Sequence, residues 1–158
     1  MTNPIRPATP QDIPAILQLL RELAAFEHLS DACVATESLL HQHLFGPSPA
    51  AGALVAVSEN QVIGYAIYFR TFSTFLALPG LYLEDLYIQP AHRRRGLAKS
   101  MLAEICRIAV SRGYGRVEWA VLKWNQPAIT FYESIGAVPL DEWQGYRLTG
   151  PALHRLSK

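Results

Sequence analysis

The stretch LYLEDLYIQPAHRRRGLAKSML, residues 81–102, constrains the fold more than any other part of this chain. Leu, Tyr and Ile dominate residues 81–88, as in a buried strand, and Pro90 stops that run. Arg93, Arg94 and Arg95 then lead into Gly96, after which Leu97, Met101, Ile105 and Ile108 recur at helical spacing through residues 96–112. The segment reads as strand, turn, helix. A helix N-terminus leaves its first amides without carbonyl partners and carries about +0.5 of an elementary charge, so it attracts phosphate. Gly96 lets a ligand approach the backbone, and the three arginines offer guanidinium donors suited to phosphate. The same triplet also reads as a solvated basic turn, and both readings stand at this level. Two phosphate motifs are excluded. A single glycine is no GxGxxG fingerprint, and Leu97-Ala98 after Gly96 is no P-loop Lys-Ser/Thr.

Charge balance narrows the ligand. The chain holds 14 Lys and Arg against 13 Asp and Glu, a formal net charge of +1, so no broad basic field favours a nucleic acid. Local positive charge suits a small phosphorylated molecule. At 158 residues with 50% hydrophobic content, a single domain over residues 1–158 is expected. No apolar run approaches the roughly 20 residues that span a bilayer, and the opening MTNPIRPATPQD lacks a signal-peptide pattern, so no membrane partner is expected. Cys33 and Cys106 have no CxxC spacing. Cys106, among Ile105, Ile108 and Ala109, reads as a buried core thiol, and a reducing cytoplasmic setting is the default. His41 and His43 point in different directions if helical, so no metal site is expected.

Punctuation and period place the other elements. Ile5 and Arg6 end a first strand; Thr9, Pro10 and Asp12 then open a helix whose Ile13, Ile16, Leu17, Leu20, Leu23 and Ala24 share one face. A shorter helix over residues 36–45 ends at Gly46-Pro47. Strands at 54–58 and 62–69 flank a tight turn at Glu59-Asn60. Further on, residues 117–122 read as a strand and 127–134 as a short helix closed by Gly136; Val138 and residues 146–148 read as final strands. The order predicts an α/β (α+β) domain with a mixed sheet flanked by helices.

With these elements placed, the chain resembles the GNAT superfamily of acyl-CoA-dependent N-acetyltransferases. That superfamily's phosphate motif, Arg/Gln-x-x-Gly-x-Gly/Ala, stands here as Arg93-Arg94-Arg95-Gly96-Leu97-Ala98. Within it, the chain is similar to the diamine acetyltransferases of the spermidine/spermine type. Four collinear stretches carry this: IRPAT at 5–9, YLEDLYI at 82–88, the RRRGLA turn, and WNQPAITFYESIGA at 124–137. The resemblance implies a mixed sheet of about six or seven strands and about four helices, with a splay between two parallel strands. It implies acetyl-CoA as co-substrate, no metal, a homodimer, and a small aliphatic diamine or polyamine as acceptor. Alternatives are a basic amino acid such as thialysine or ornithine, an aminoglycoside, or a non-catalytic acyl-CoA-binding regulator.

The resemblance also assigns residues. Pantetheine would lie between Leu86, Tyr87 and Ile88 and the strand at 117–122. The diphosphate would sit at Arg93 through Ser100, on the amides of Arg94, Arg95, Gly96, Leu97, Ala98 and Lys99. Asn125 matches a cofactor-contacting asparagine, with a plain helix-start residue as the alternative. Tyr132 matches the general acid that protonates the leaving thiolate, a role that a phenol with a pKa near 10 suits. Glu84 matches a residue linked to water-mediated deprotonation of the amine, Asp85 one that holds a cationic end, and Glu27 another acidic substrate residue. Neighbours on a strand face opposite ways, so a bulge would be needed to present both Glu84 and Asp85. Glu27 also reads as a solvated helix-end glutamate. Phe72 and Phe75 read either as an aromatic wall over an alkylammonium chain or as packing. Glu133, Ser134 and Ile135 depart from the basic residues that the diamine enzymes carry after the tyrosine.

Overall fold

The computed structural model describes residues 4–158, which fall into two compact units divided between Ala120 and Val121. In the first unit, β1 (Ile5–Pro7), β2 (Gly52–Ser58), β3 (Gln61–Ser73), β4 (Leu78–Ile88) and β5 (Val117–Glu118) form one sheet in the order β1-β2-β3-β4-β5. The first three joins are antiparallel and the β4–β5 join is parallel. Among the described residues the sheet therefore has five strands rather than six or seven. Helices α1 (Ile13–Phe26), α2 (Glu37–Phe45) and α3 (Leu97–Ser111) belong to this unit.

Local chemistry explains how the first helix is set. The buried Asp12 carboxylate accepts from the Thr9 N–H at 2.7 Å and the Thr9 hydroxyl at 3.0 Å. It also accepts from both terminal nitrogens of Arg6, at 2.7 and 2.9 Å. One carboxylate thus closes the start of α1 and fastens it to β1. Ile16 and Leu19 of α1 then pack on Val55, Tyr65, Ile67 and Tyr87. From α3, Met101, Leu102, Ile105 and Ala109 are buried, and this helix lies against β4 and β2. Cys106 is exposed, correcting its reading as a core thiol. One helical step from Ile105 turns a side chain by about 100°, which carries it off the buried stripe.

The β2–β3 turn falls at Glu59-Asn60 as predicted, with φ of 48° and 62° at its two residues. Strand β4 begins earlier than the sequence suggests. Pro79 and Gly80 argue against a strand on propensity, yet they pair with Phe72 and Thr71, and the Pro79 carbonyl accepts from Gly115 N–H at 2.9 Å.

The most consequential irregularity lies within β4. Ile67 pairs with Asp85 and Tyr68 with Leu83, which leaves Glu84 as an extra residue with no opposite number. This β-bulge switches the alternation. Leu81 and Leu83 precede it, Leu86 and Ile88 follow, and the bulge brings both pairs to one face although 83 and 86 differ in parity. Asp85 and Tyr87 occupy the other face, beside Ile67 and Tyr65.

The second unit contains α4 (Gln126–Ser134) and α5 (Gly150–Leu156). The strands predicted at Val138 and 146–148 are absent: residues 137–149 form neither helix nor strand. Val138 is 79% and Tyr146 89% exposed, so the apolar alternation there has no ladder to join among the described residues of this unit. Helix α5 was not foreseen, although Thr149 followed by Pro151 repeats the cap-and-proline signature seen at Thr9-Pro10.

Candidate active site

Two features converge on the end of β4. The first is the turn into α3. Arg94 has φ of 63° and Gly96 φ of 75°, the left-handed region, so the chain folds back just before the helix. The Ser100 N–H donates to the Gly96 carbonyl at 2.9 Å; the amides of Leu97, Ala98 and Lys99 precede that first bond and have no carbonyl a turn earlier. A Cβ placed on Gly96 would meet nothing within 4 Å. Open space, positive φ and exposed Arg94, Arg95 and Lys99 fit an anionic diphosphate. Arg93 behaves differently. Its Nε donates to the Ile88 carbonyl at 2.8 Å, and its guanidinium lies 5.5 Å from the Phe26 ring centre and 5.3 Å from that of Tyr87.

The second feature is the parting of β4 from β5. Their pairing consists of Leu81 with Val117 and Tyr82 with Glu118. Beyond it, Leu86, Tyr87 and Ile88 pair with Ala66, Tyr65 and Gly64 of β3 but with nothing on β5. Every second backbone N–H and C=O there faces an open edge, the kind a ligand's amides can join.

On the α1 face of the sheet, the bulge brings three of the predicted acids together. Tyr65, fully buried, donates its hydroxyl to Asp85 Oδ2 at 3.2 Å. The Asp85 carboxyl is raised to about 6, first by burial, then by the Glu84 charge, with the Tyr65 hydrogen bond opposing and the Glu27 charge adding to the rise. Burial likewise raises Glu27, half-buried at the end of α1, and raises the Tyr65 phenol, helped by the Asp85 charge. Glu84 itself is exposed on the bulge. A partly buried negative cluster of this kind takes up ammonium groups, which relieve its desolvation and mutual repulsion. Sequence reasoning missed Tyr65. Its signal was a phenol within an apolar strand, where a buried hydroxyl needs a partner.

Phe75 does not join this cluster. It is 96% exposed at the β3–β4 hairpin tip, beyond the Ser73–Leu78 pair, roughly 20 Å along the strands from Asp85.

In the second unit, Asn125 caps α4: its Oδ1 accepts from the Ala128 N–H at 3.4 Å, and its own N–H donates to the Leu122 carbonyl at 2.8 Å. Tyr132 sits half-buried on the same helix, its ring 5.3 Å from that of Phe131. Its carbonyl accepts from the Ala137 N–H at 3.1 Å, where the helix closes before Gly136 at φ of 89°. Among the described residues, no group of three or more His, Cys, Asp or Glu is placed to hold a metal ion, and no helix is long and apolar enough to cross a membrane.

The parted parallel strand pair and the glycine turn at the next helix are features that the resemblance to acyl-CoA-dependent N-acetyltransferases implies, and the comparisons give the family. Residues 17–137 match the Acetyltransferase (GNAT) family, and the chain belongs to that family. It is an acetyltransferase with the GNAT fold, and enzymes of this family use acetyl-CoA. L-ornithine N5-acetyltransferase NATA1 of Arabidopsis thaliana is 34% identical, aligned over all of this chain and 89% of its own. Thialysine N-epsilon-acetyltransferase of Bos taurus is 35% identical over 97% of this chain and 96% of its own. Spermidine/spermine N(1)-acetyltransferase-like protein 1 of Homo sapiens is 34% identical over 91% of this chain but only 22% of its own.

Proposed function

We propose that this enzyme moves the acetyl group of acetyl-CoA to the terminal side-chain amine of a basic amino acid of the ornithine or thialysine kind. One observation carries the substrate class. The two relatives matched over nearly the whole of both chains are named for such amines, whereas the protein named for spermidine and spermine is matched over 22% of its length. This supports the amino acid over the diamine that the resemblance of the sequence motifs suggested. The diamine stays as the competing substrate, because Glu27 and Asp85 offer two carboxylates for two ammonium groups.

Acetyl-CoA supplies an activated acetyl thioester. In this reading the amides of residues 94–99 hold its diphosphate, and the open edge of Leu86, Tyr87 and Ile88 pairs with pantetheine and polarises the thioester carbonyl. Asp85 and Glu27 draw in the ammonium group. Glu84, exposed on the bulge, passes the amine's proton to water, and Tyr132 protonates the departing thiolate. The family resemblance gives Asn125, at the cap of α4, the role of a cofactor contact. We further propose that the enzyme works as a homodimer.

Coenzyme A release, measured across ornithine, thialysine, spermidine, a short diamine and an aminoglycoside, tests the assignment. Turnover of ornithine or thialysine at about tenfold or more the kcat/KM of spermidine is expected. The reverse order would restore the diamine, and coenzyme A binding without any turnover would leave a regulator.

A further inference from the structure

Four side chains around Tyr87 join the diphosphate turn to α1, the helix that ends just before Glu27. Glu22 and Phe26 lie four residues apart on α1, hence on one face; Tyr87 and Gln89 lie two apart at the end of β4. The Tyr87 hydroxyl donates to Glu22 Oε2 at 3.4 Å, and Gln89 Nε2 donates to Glu22 Oε1 at 3.2 Å. Gln18 Nε2 donates to the same carboxylate at 3.4 Å. Arg93 completes the join. Its Nε–H is committed to the Ile88 carbonyl, while its guanidinium faces both the Phe26 and Tyr87 rings.

We propose that Arg93 and Glu22 are positioning residues, locking the diphosphate turn to the last turn of α1 so that cofactor and amine are held at one spacing. Arg93 does this in place of binding phosphate. A planar guanidinium can hydrogen-bond in its plane and lie near two rings at once; a lysine ammonium cannot reproduce that set. Glu22 sits on a different element and is acidic, so any effect it has on coenzyme A binding cannot come from direct contact with a phosphate. The proposal rests on acetyl-CoA binding at this turn and is independent of which amine is acetylated.

Calorimetric titration with coenzyme A, alongside a thermal melt of each variant, tests it without any acceptor. Arg93→Lys should weaken coenzyme A at least about fivefold despite keeping the charge, and Glu22→Ala should weaken it to a similar degree. Glu22→Gln, whose amide oxygen can still accept from Tyr87, should recover most of the loss. In turnover assays, KM for acetyl-CoA should rise more than kcat falls in both Arg93→Lys and Glu22→Ala. The salt dependence of binding should stay that of the parent in Arg93→Lys and Arg93→Met, since no ion contact to the ligand is removed. Arg93→Lys within about twofold of the parent, a clearly flatter salt dependence in Arg93→Met, or unimpaired binding by a folded Glu22→Ala would each overturn the proposal. If Glu22→Ala melts below the assay temperature, the arginine variants decide alone.

Discussion

At Asp85, burial and the charges of Glu84 and Glu27 oppose ionisation, while the Tyr65 hydroxyl favours it. The folded carboxyl titrates at about 6 against an ordinary 3.8. For an acid raised in this way, the stabilising contribution is complete below the unfolded pKa and is lost as pH rises through about 6. A shift of two units corresponds to ~3 kcal/mol carried as destabilisation at pH 8 in the absence of a cation. Asp85→Asn keeps an acceptor for Tyr65 and removes the charge, so it should raise the melting temperature at pH 8 and leave that at pH 4 nearly unchanged. The same variant should raise KM for the amine about tenfold or more at pH 8, because a charge-assisted contact is gone. A complementary outcome belongs to the parent enzyme. As pH falls below about 6, Asp85 becomes protonated and KM for the amine should climb; in Asp85→Asn that inflection should vanish. Initial-rate profiles from pH 5 to 9 read both effects, and a parent KM that stays flat across that range would remove Asp85 from the amine site.

Elements are joined here by single polar side chains as much as by apolar packing. Asp12 is the clearest case. The Arg6 hydrogen bonds lead in holding its carboxyl down to about 2, helped by Thr9 and opposed by burial. The stabilisation is present above the ordinary pKa of 3.8 and lost as pH falls through about 2. Asp12→Asn should therefore cost ~2 kcal/mol at pH 7 by denaturant titration, and the gap should narrow as the pH is lowered below 4. The diphosphate turn gives a second test at this scale. Gly96→Glu would force a side chain into a φ of 75° and set a negative charge in the ligand's space, and should abolish coenzyme A binding in calorimetry. The start of α1 was legible in Thr-Pro-x-Asp before an apolar stripe, and the turn into α3 in RRRG after a strand; the Arg6–Asp12 pair, which joins two elements, was not. The β4 bulge was half legible: leucines at 81, 83 and 86 break period two at Glu84, and a carboxylate pair in an apolar strand needs a reason. Arg93 was not legible. Nothing in a run of three arginines tells which of them folds back onto the rings of Phe26 and Tyr87, because those partners come from other elements.

For the whole molecule, the missing C-terminal strands and the proposed homodimer are one question. Val138 and residues 146–148 read as strands, yet in the isolated chain residues 137–149 take no regular structure, since a strand's backbone bonds must be completed by a neighbour. A periodicity states which face would be buried; it cannot state whether the covering partner belongs to the same chain. The unit Val121–Lys158 exposes Trp143 (77%), Tyr146 (89%) and Leu156 (80%), together with Val138, Leu140, Leu148 and Leu153. These exposed apolar side chains are the observation that supports the proposed homodimer. Light scattering at high micromolar concentration should accordingly give about 35 kDa, twice the 17.6 kDa of the chain. Trp143→Glu combined with Tyr146→Glu places two charges on that surface and should shift the mass toward 17.6 kDa while leaving coenzyme A affinity within about twofold. The diphosphate turn belongs to the first unit and both aromatics to the second. A parent enzyme that scatters as a monomer throughout would refute the homodimer.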